Sequence, residues 1–310
     1  CYMIERVARR IQQKNSYVVN AISRDEWLRL ISLANVLHCE NPLKVEDEWI
    51  EVYSLIQGDF DITDVDKVIA LVDEVKPYAI VNCAAHTAVD LCESQWDAAY
   101  KINALGPRNL AIAAKRVGAK LVHVSTDYVF AGDDPTPRTE FDAPNPQSAY
   151  GKTKLEGENF VKAFADKYFI VRTAWLYGDG KNFVKTMLRL AETNDTVRVV
   201  SDQIGSPTSA KELAKAIAVL IPTENYGIFH GTCEGVCSWA DFTDEIFRLA
   251  GKTTKVNHVT TEEYMKLNPN AAPRPAYSVL DNYMLKLTTN HVAKDWKDAI
   301  AVYMEELSGQ

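Results

Sequence analysis

Lys120-Leu-Val-His-Val124, a helical pattern from about Tyr150 to Phe164, and Phe169-Ile-Val-Arg172 form the stretch that decides the fold. Both apolar runs are short and continuous. That is expected of parallel strands covered on two faces, because a strand with one wet face alternates instead. The same rhythm holds upstream. Asp61-Ile-Thr-Asp64 opens a helix with Val68, Ile69, Leu71 and Val72 on its apolar side, Tyr78-Ala-Ile-Val81 reads as a strand, and a helix runs from Ala98 to Val117. Strand and helix alternate as far as Ile221, and Gly227-Ile-Phe-His230 reads as a last strand. Short connections between such units predict an α/β fold built on a doubly wound parallel sheet.

Beyond that strand the texture changes. Trp239 to Leu249 reads as a helix with Ser238 as its N-cap, and the prolines of Asn268-Pro-Asn-Ala-Ala-Pro-Arg-Pro-Ala276 mark a loop. The expected division is a sheet domain over residues 1–230 and a smaller lobe over 231–310, with part of 173–195 contributing.

Composition bounds the function. The chain has 310 residues, 47% of them hydrophobic and 25% charged, as in ordinary globular proteins. A net charge of −8 argues against nucleic acid or an anionic membrane surface as partner, since both select basic surfaces. No apolar run is long enough to span a bilayer, and no signal-peptide pattern opens the chain, so a cytoplasmic location is expected. Six scattered cysteines fit a reduced compartment. Cys233 and Cys237 have the spacing of half a metal site with no second half, and idle thiols are the preferred reading.

Ligands in such sheets bind beyond the carboxyl ends of the strands. There the strand ending at Val124 runs into Ser125-Thr-Asp-Tyr-Val-Phe130, and the next helix begins Tyr150-Gly-Lys-Thr-Lys154. A Tyr and a Lys four residues apart share a helical face. A cation beside a phenol favours phenolate and lowers its pKa, which would suit Tyr150 to proton transfer near neutrality. Thr126 could offer a hydroxyl to the same reacting oxygen. A packed Tyr with a solvated Lys is the alternative reading of that pair alone.

This Ser/Thr–Tyr–Lys pattern resembles that of the short-chain dehydrogenase/reductase superfamily. Val81-Asn-Cys-Ala-Ala-His-Thr-Ala-Val-Asp90, Pro146-Gln-Ser-Ala-Tyr-Gly-Lys-Thr-Lys-Leu-Glu-Gly157, Arg172-Thr-Ala-Trp-Leu-Tyr177, Asp202-Gln-Ile-Gly-Ser-Pro-Thr208 and Arg274-Pro-Ala-Tyr-Ser-Val-Leu280 narrow it. From about residue 58 onward the chain resembles the dTDP-4-dehydrorhamnose reductase family. The resemblance implies a Rossmann-like fold. It also implies NADPH- or NADH-dependent reduction of the 4-keto group of dTDP-4-dehydro-L-rhamnose, giving dTDP-L-rhamnose for cell-surface polysaccharide. Tyr150 would be the catalytic acid, Lys154 the holder of the cofactor ribose, and Thr126 their partner. Asp59 and Phe60 would meet the adenine, while Ala84, Ala85, His86 and Thr87 approach the cofactor. Thr126, Asp127, Trp175 and Arg274 would line the nucleotide-sugar site, with no metal involved. Plainer readings stand beside these: Trp175 as core, Thr87 as a helix N-cap, Asp127 as a turn residue, Arg274 as a solvated loop arginine. A homodimer is compatible with the family. A non-catalytic nucleotide-sugar-binding relative and an epimerase of the same superfamily are the competing functions.

One feature departs from the family. Its members open with a strand and a Gly-x-x-Gly-x-x-Gly turn whose amides approach the cofactor diphosphate, but no glycine precedes Gly58 here. Residues 2–13 read as a helix, Tyr17-Val-Val-Asn-Ala21 as a strand and Asp25 to Leu37 as a helix. In one placement Tyr17 to Arg24 is the fold's second strand, with Arg24 facing a cofactor 2′-phosphate. In the preferred one Glu51-Val-Tyr-Ser-Leu-Ile56 takes that role and residues 1–50 are foreign to the fold. In a third the record is imperfect at its start and Met3 is the initiator. The missing glycines predict weak NADPH binding by this chain. A fluorescence titration checks it, repeated after residues 1–50 are replaced by a strand–GxxGxxG–helix segment. Tight binding by the unmodified chain would contradict the expectation.

Overall fold

A computed structural model describes residues 60–267 and 271–308, together with the backbone of β1 (Leu43–Val45) and β2 (Glu48–Ile50), an antiparallel pair. Next come α1 (Val65–Val75), β3 (Ala79–Asn82), α2 (Val89–Ser94), α3 (Trp96–Tyr100), a π-helical turn (Lys101–Leu105) and α4 (Gly106–Val117). They are followed by β4 (Lys120–Thr126), a 3-10 turn (Asp127–Val129), α5 (Ala149–Phe164), β5 (Tyr168–Thr173), β6 (Leu176–Tyr177), α6 (Phe183–Leu190) and β7 (Thr196–Val200). Then come β8 (Ile204–Gly205), β9 (Thr208–Ser209), α7 (Ala210–Leu220), β10 (Gly227–His230), β11 (Cys237–Ser238) and α8 (Trp239–Leu249). β12 (Lys255–Val259), α9 (Thr261–Leu267), α10 (Tyr283–Thr289) and α11 (Trp296–Ser308) complete the chain. The N-terminal helices and strand read from the sequence, the segment Glu51–Ile56 and Asp59 lie outside the described residues, as do residues 268–270 of the proline loop.

The principal sheet has the order β10-β5-β4-β3, every pair parallel. Adjacent residues of one strand point to opposite faces, and both faces are covered. Leu121 and Ile170 join Val68, Val72, Leu110 and Val161 beneath α1, α4 and α5. Val122, Phe169 and Val171 join Leu213, Ile217, Leu220 and Leu285 beneath α7 and α10. This two-sided burial explains the continuous apolar runs.

Local signals stop and start the helices. Asp64 caps α1 by accepting from the Lys67 amide, and α1 ends on Lys76 in the left-handed region. Ser148 caps α5 through the Gly151 amide at 3.1 Å. Ser238 and Asp241 form a reciprocal capping box on α8, as the sequence predicts for Ser238. The helix expected from Ala98 to Val117 is instead α3, the π-helical turn and α4 in succession. One residue of slack in the ladder turns the buried Asn103 toward its neighbours.

A separate apolar cluster gathers Tyr177, Val184, Met187, Val197 and Val199 with Phe242, Ile246, Trp296 and Ile300. It therefore draws on α6 and β7 as well as on α8 and α11, and β7 pairs in parallel with β12.

Helix α5 reaches its position through two glycines. A Cβ on Gly151 would lie 2.2 Å from the Tyr128 carbonyl oxygen, and one on Gly157 would lie 2.2 Å from the Asn103 carbonyl oxygen. Both obstacles are backbone, so the helix itself would have to move. Gly157→Ala is expected to destabilise the protein by roughly 2 kcal/mol or more despite alanine's better helix propensity. Denaturant unfolding checks this, and an unchanged midpoint would contradict the close packing.

Candidate active site

The carboxyl ends of β3, β4 and β5 converge, and hydrogen bonds shape the loop after β3. The Asn82 side chain accepts from the Ala84 amide at 3.0 Å and donates to Nδ1 of the buried His123 at 3.1 Å. Asn103, on the π-helical turn, accepts from the His86 amide at 2.7 Å, and its Nδ2 donates to the His86 carbonyl and to Thr153 Oγ1. Ala84 to Thr87 are thus pinned at two points, with small side chains between. His86 Nδ1 lies 3.3 Å from the Cys92 thiol. Thr87 is not an N-cap: α2 starts after Ala88 with no side-chain cap.

At the end of β4 the Thr126 hydroxyl accepts from the Tyr128 amide at 3.2 Å and donates to Asp127 Oδ1 at 2.9 Å. The Tyr150 ring stands edge-on to Tyr128, with centroids 5.4 Å apart, and Thr126 is near enough to the Tyr150 phenol to act on its pKa. Lys154 is buried, and its Nζ donates to the Val124 carbonyl at 2.7 Å.

The structure thus brings Thr126, Asp127, Tyr150 and Lys154 together. It corrects one inference about them. Burial raises the Tyr150 phenol above its ordinary range, while Thr126 opposes that shift; Lys154 is not the group that sets it. The reason is geometric, since the lysine is committed to the Val124 carbonyl on β4. Burial lowers Lys154 itself to about 8, against the opposing charge of Glu158.

Asp127 occupies a turn but is no ordinary turn residue. It is buried, its Oδ2 has no hydrogen-bond partner, and burial raises its carboxyl to about 7 against the hydrogen bond from Thr126 and the influence of the nearby Ser278. Trp175 is only partly buried. Its backbone has φ +48°, a left-handed conformation rare for a bulky residue, and its ring stacks on Trp239 at 3.6 Å and 8°. Gly205 makes room for it, because a Cβ there would fall 2.5 Å from the Trp175 ring. Arg274 is not a free loop arginine: its Nη2 donates to both Asp90 oxygens at 3.1 Å and its Nη1 to the Ala272 carbonyl. Phe60 packs, partly buried, at the edge of the apolar cluster under α1 and α4.

Sequence reasoning missed Glu158, Arg172 and Trp239. Glu158 and Arg172 are both fully buried and bonded bidentately, at 3.0 and 2.7 Å, and Ser125 Oγ donates to the same carboxylate at 2.6 Å. The available signal was a charged residue ending an apolar strand, with a carboxylate four residues after Lys154. Cys233 and Cys237 are buried free thiols, and burial pushes Cys233 up to about 12. Among the described residues, the group able to converge on a metal ion is the exposed Asp241, Asp244 and His258, which includes neither cysteine.

Comparison with known proteins agrees with the geometry. Residues 42–308 match the family model described as the RmlD substrate binding domain. The structure is similar to that of a dTDP-4-dehydrorhamnose reductase from Clostridium acetobutylicum, 57% identical, with a TM-score of 0.81, covering 84% of this chain and 91% of that one. It is also similar to the dTDP-4-dehydrorhamnose reductase of Bacillus anthracis in complex with NADP, 44% identical, with a TM-score of 0.80, covering 83% and 90%. The spore coat polysaccharide biosynthesis protein SpsK of Bacillus subtilis is 42% identical over 259 residues, 83% of this chain and 89% of that protein.

The raised Asp127 carboxyl fixes a stability test. Below about pH 4 both folded and unfolded forms hold the proton. Between there and about 7 the unfolded chain releases it first, so this group's contribution falls as pH rises, then levels off. Asp127→Asn should therefore raise the melting temperature at pH 8 and flatten its dependence between pH 4 and 7. A variant no more stable than the parent at pH 8 would contradict the assignment.

Proposed function

The chain belongs to the RmlD substrate binding domain family, and on that premise we propose that it reduces the 4-keto group of dTDP-4-dehydro-L-rhamnose with NADPH or NADH. One observation carries the reading: Tyr150 and Lys154 lie on one face of α5 at the carboxyl end of β4, with Thr126 near enough to the phenol to act on its pKa. This is the chemistry of carbonyl reduction, in which an oxygen gains a proton as its carbon gains hydride.

The residues present fit a nicotinamide cofactor. Ala84 and Ala85 leave the backbone after β3 approachable, and Lys154 lies at the floor of the same cleft. His86 and Thr87 border that approach; Phe60, packed at the edge of the apolar cluster under α1 and α4, is the proposed adenine contact. The cofactor, when bound, supplies the hydride. Tyr150 donates its phenolic proton to the 4-keto oxygen, and the raised pKa keeps it protonated until the alkoxide forms. Thr126 hydrogen-bonds the same oxygen and orients it. Lys154, a cation up to about pH 8, holds the cofactor's ribose hydroxyls and draws charge off the phenolate left behind. Asp127 offers its unpartnered oxygen to a sugar hydroxyl. Trp175, braced by Trp239, gives the hexose or base a flat apolar wall, and Arg274 stands at the nucleotide end. We assign residues 1–230 to the cofactor domain and 231–310, with part of 173–195, to the substrate lobe, to which β7 (Thr196–Val200) also belongs by its pairing with β12 and its place in the second apolar cluster.

Among the described residues no helix is long and apolar enough to cross a membrane; a cytoplasmic homodimer acting on a soluble nucleotide sugar is the proposed setting. The absence of glycine before Gly58 favours a second reading, a nucleotide-sugar-binding relative without turnover. Tyr150→Phe separates the two. Turnover of NADPH with the keto sugar should fall by about two to four powers of ten with little change in sugar binding. An unchanged rate would remove Tyr150 from the mechanism.

A further inference from the structure

Tyr150, Lys154 and Glu158 follow one another at intervals of four along α5, so they lie on one face of the helix. The first two meet the cleft, whereas the third is sealed in the sheet. Ser125 and Arg172 are direct register partners on β4 and β5. Both reach the same carboxylate, Ser125 at 2.6 Å and Arg172 through two bonds of 3.0 and 2.7 Å, and the guanidinium also lies over the Phe130 ring at 5.1 Å. Two parallel bonds from a planar fork fix direction as well as distance.

We propose that Glu158 is a positioning residue for the reduction: gripped by Ser125 and Arg172, it sets the rotation and height of α5 on the sheet and so aims Tyr150 and Lys154 into the cleft. The proposal rests on the reading of those two residues given above. Charge adds a second route. The groups facing Lys154 are the Val124 carbonyl and His123 from β4, Cys83 just after β3, and Glu158 on α5. His123 is held neutral by burial and by Lys154 itself. Glu158 is the foremost charge that keeps this buried lysine an ammonium. Neutralising it leaves the Arg172 cation uncompensated nearby, which pushes Lys154 further toward the amine. If the ammonium is the active form, the alkaline limb of the pH profile must move to lower pH.

The test is steady-state kinetics from pH 6 to 9.5 with NADPH and the dTDP-4-keto sugar, on Glu158→Gln, Glu158→Asp and the double variant Glu158→Gln/Arg172→Gln. For Glu158→Gln the alkaline limb of kcat should fall by about one pH unit, with kcat down about tenfold on the plateau and by roughly a further fivefold at pH 8, and the KM for sugar little changed. Glu158→Asp, which keeps the charge, should restore the position of the limb. The double variant removes both members of the Glu158–Arg172 pair and so strands neither of them, and it should fold; its limb should return toward the parent's while kcat stays about tenfold down at every pH. A folded Glu158→Gln with the parental limb and kcat would overturn the proposal. If that single variant does not fold, parental kcat in the double variant overturns it. A double variant that fails to fold also overturns it, since the pair would then serve the fold and not the site. Tyr150→Phe runs alongside: its full activity would sink the underlying reading, whereas its inactivity with an unaltered Glu158→Gln sinks this inference alone.

Discussion

The bidentate bond between Arg172 and Glu158 is the constraint on which the rest of this architecture depends. It joins the strand β5 to the helix that carries Tyr150 and Lys154, in a place from which water is excluded. Removing two charges from water is expensive, and a well-packed apolar pair in their place is often as stable. The pair is therefore poor evidence for stability as such. It does discriminate, because breaking one side leaves a buried charge and costs about 3–5 kcal/mol. An apolar contact tolerates a small slide of a helix over a sheet; a planar fork on a carboxylate does not. The glycines at 151 and 157 complete the arrangement by letting the helix backbone come down onto Tyr128 and Asn103.

That geometry places several titratable groups in a dry cleft, and burial moves each toward its neutral form. Lys154 falls to about 8, Asp127 rises to about 7, and His123 drops well below its ordinary range. Only Lys154 has a carboxylate nearby that resists the trend. The site thus holds a protonated phenol, a lysine that is still a cation at neutral pH, and a carboxyl poised between forms. Such a set can protonate an oxygen and then tolerate the anion left behind.

Much of this was legible in the sequence because buried parallel strands leave an unmistakable apolar signature. Leu121 and Val122, or Phe169 and Ile170, are apolar together because both faces of the sheet are covered. Caps such as Ser238 were legible for a local reason, a side chain satisfying an amide three residues on. Thr126, Tyr150 and Lys154 were found through spacing and a family resemblance. What escaped was set by tertiary contacts, with one exception. The π-helical turn at Lys101–Leu105 runs straight into Gly106-Pro107, a break signal that sequence reasoning missed: the proline has no amide with which to continue the ladder. Glu158 and Arg172 read as ordinary charges until the fold buries them against each other. The Trp175–Trp239 stack joins residues far apart in the chain, and the left-handed Trp175 is tolerated only because Gly205 yields space. β7 and β12, which pair with each other, carry mixed side chains and gave no clear strand signal.

The central claim is that this chain moves hydride to a nucleotide-sugar ketone, and the most direct test follows the hydride. The protein is incubated with dTDP-4-dehydro-L-rhamnose and NADPH deuterated at C4 of the nicotinamide, and the product is read by NMR. The account predicts one deuterium at C4 of the sugar for each NADPH oxidised. Binding of the dTDP-sugar with no oxidation of NADPH, and no deuterium in the sugar, would contradict it.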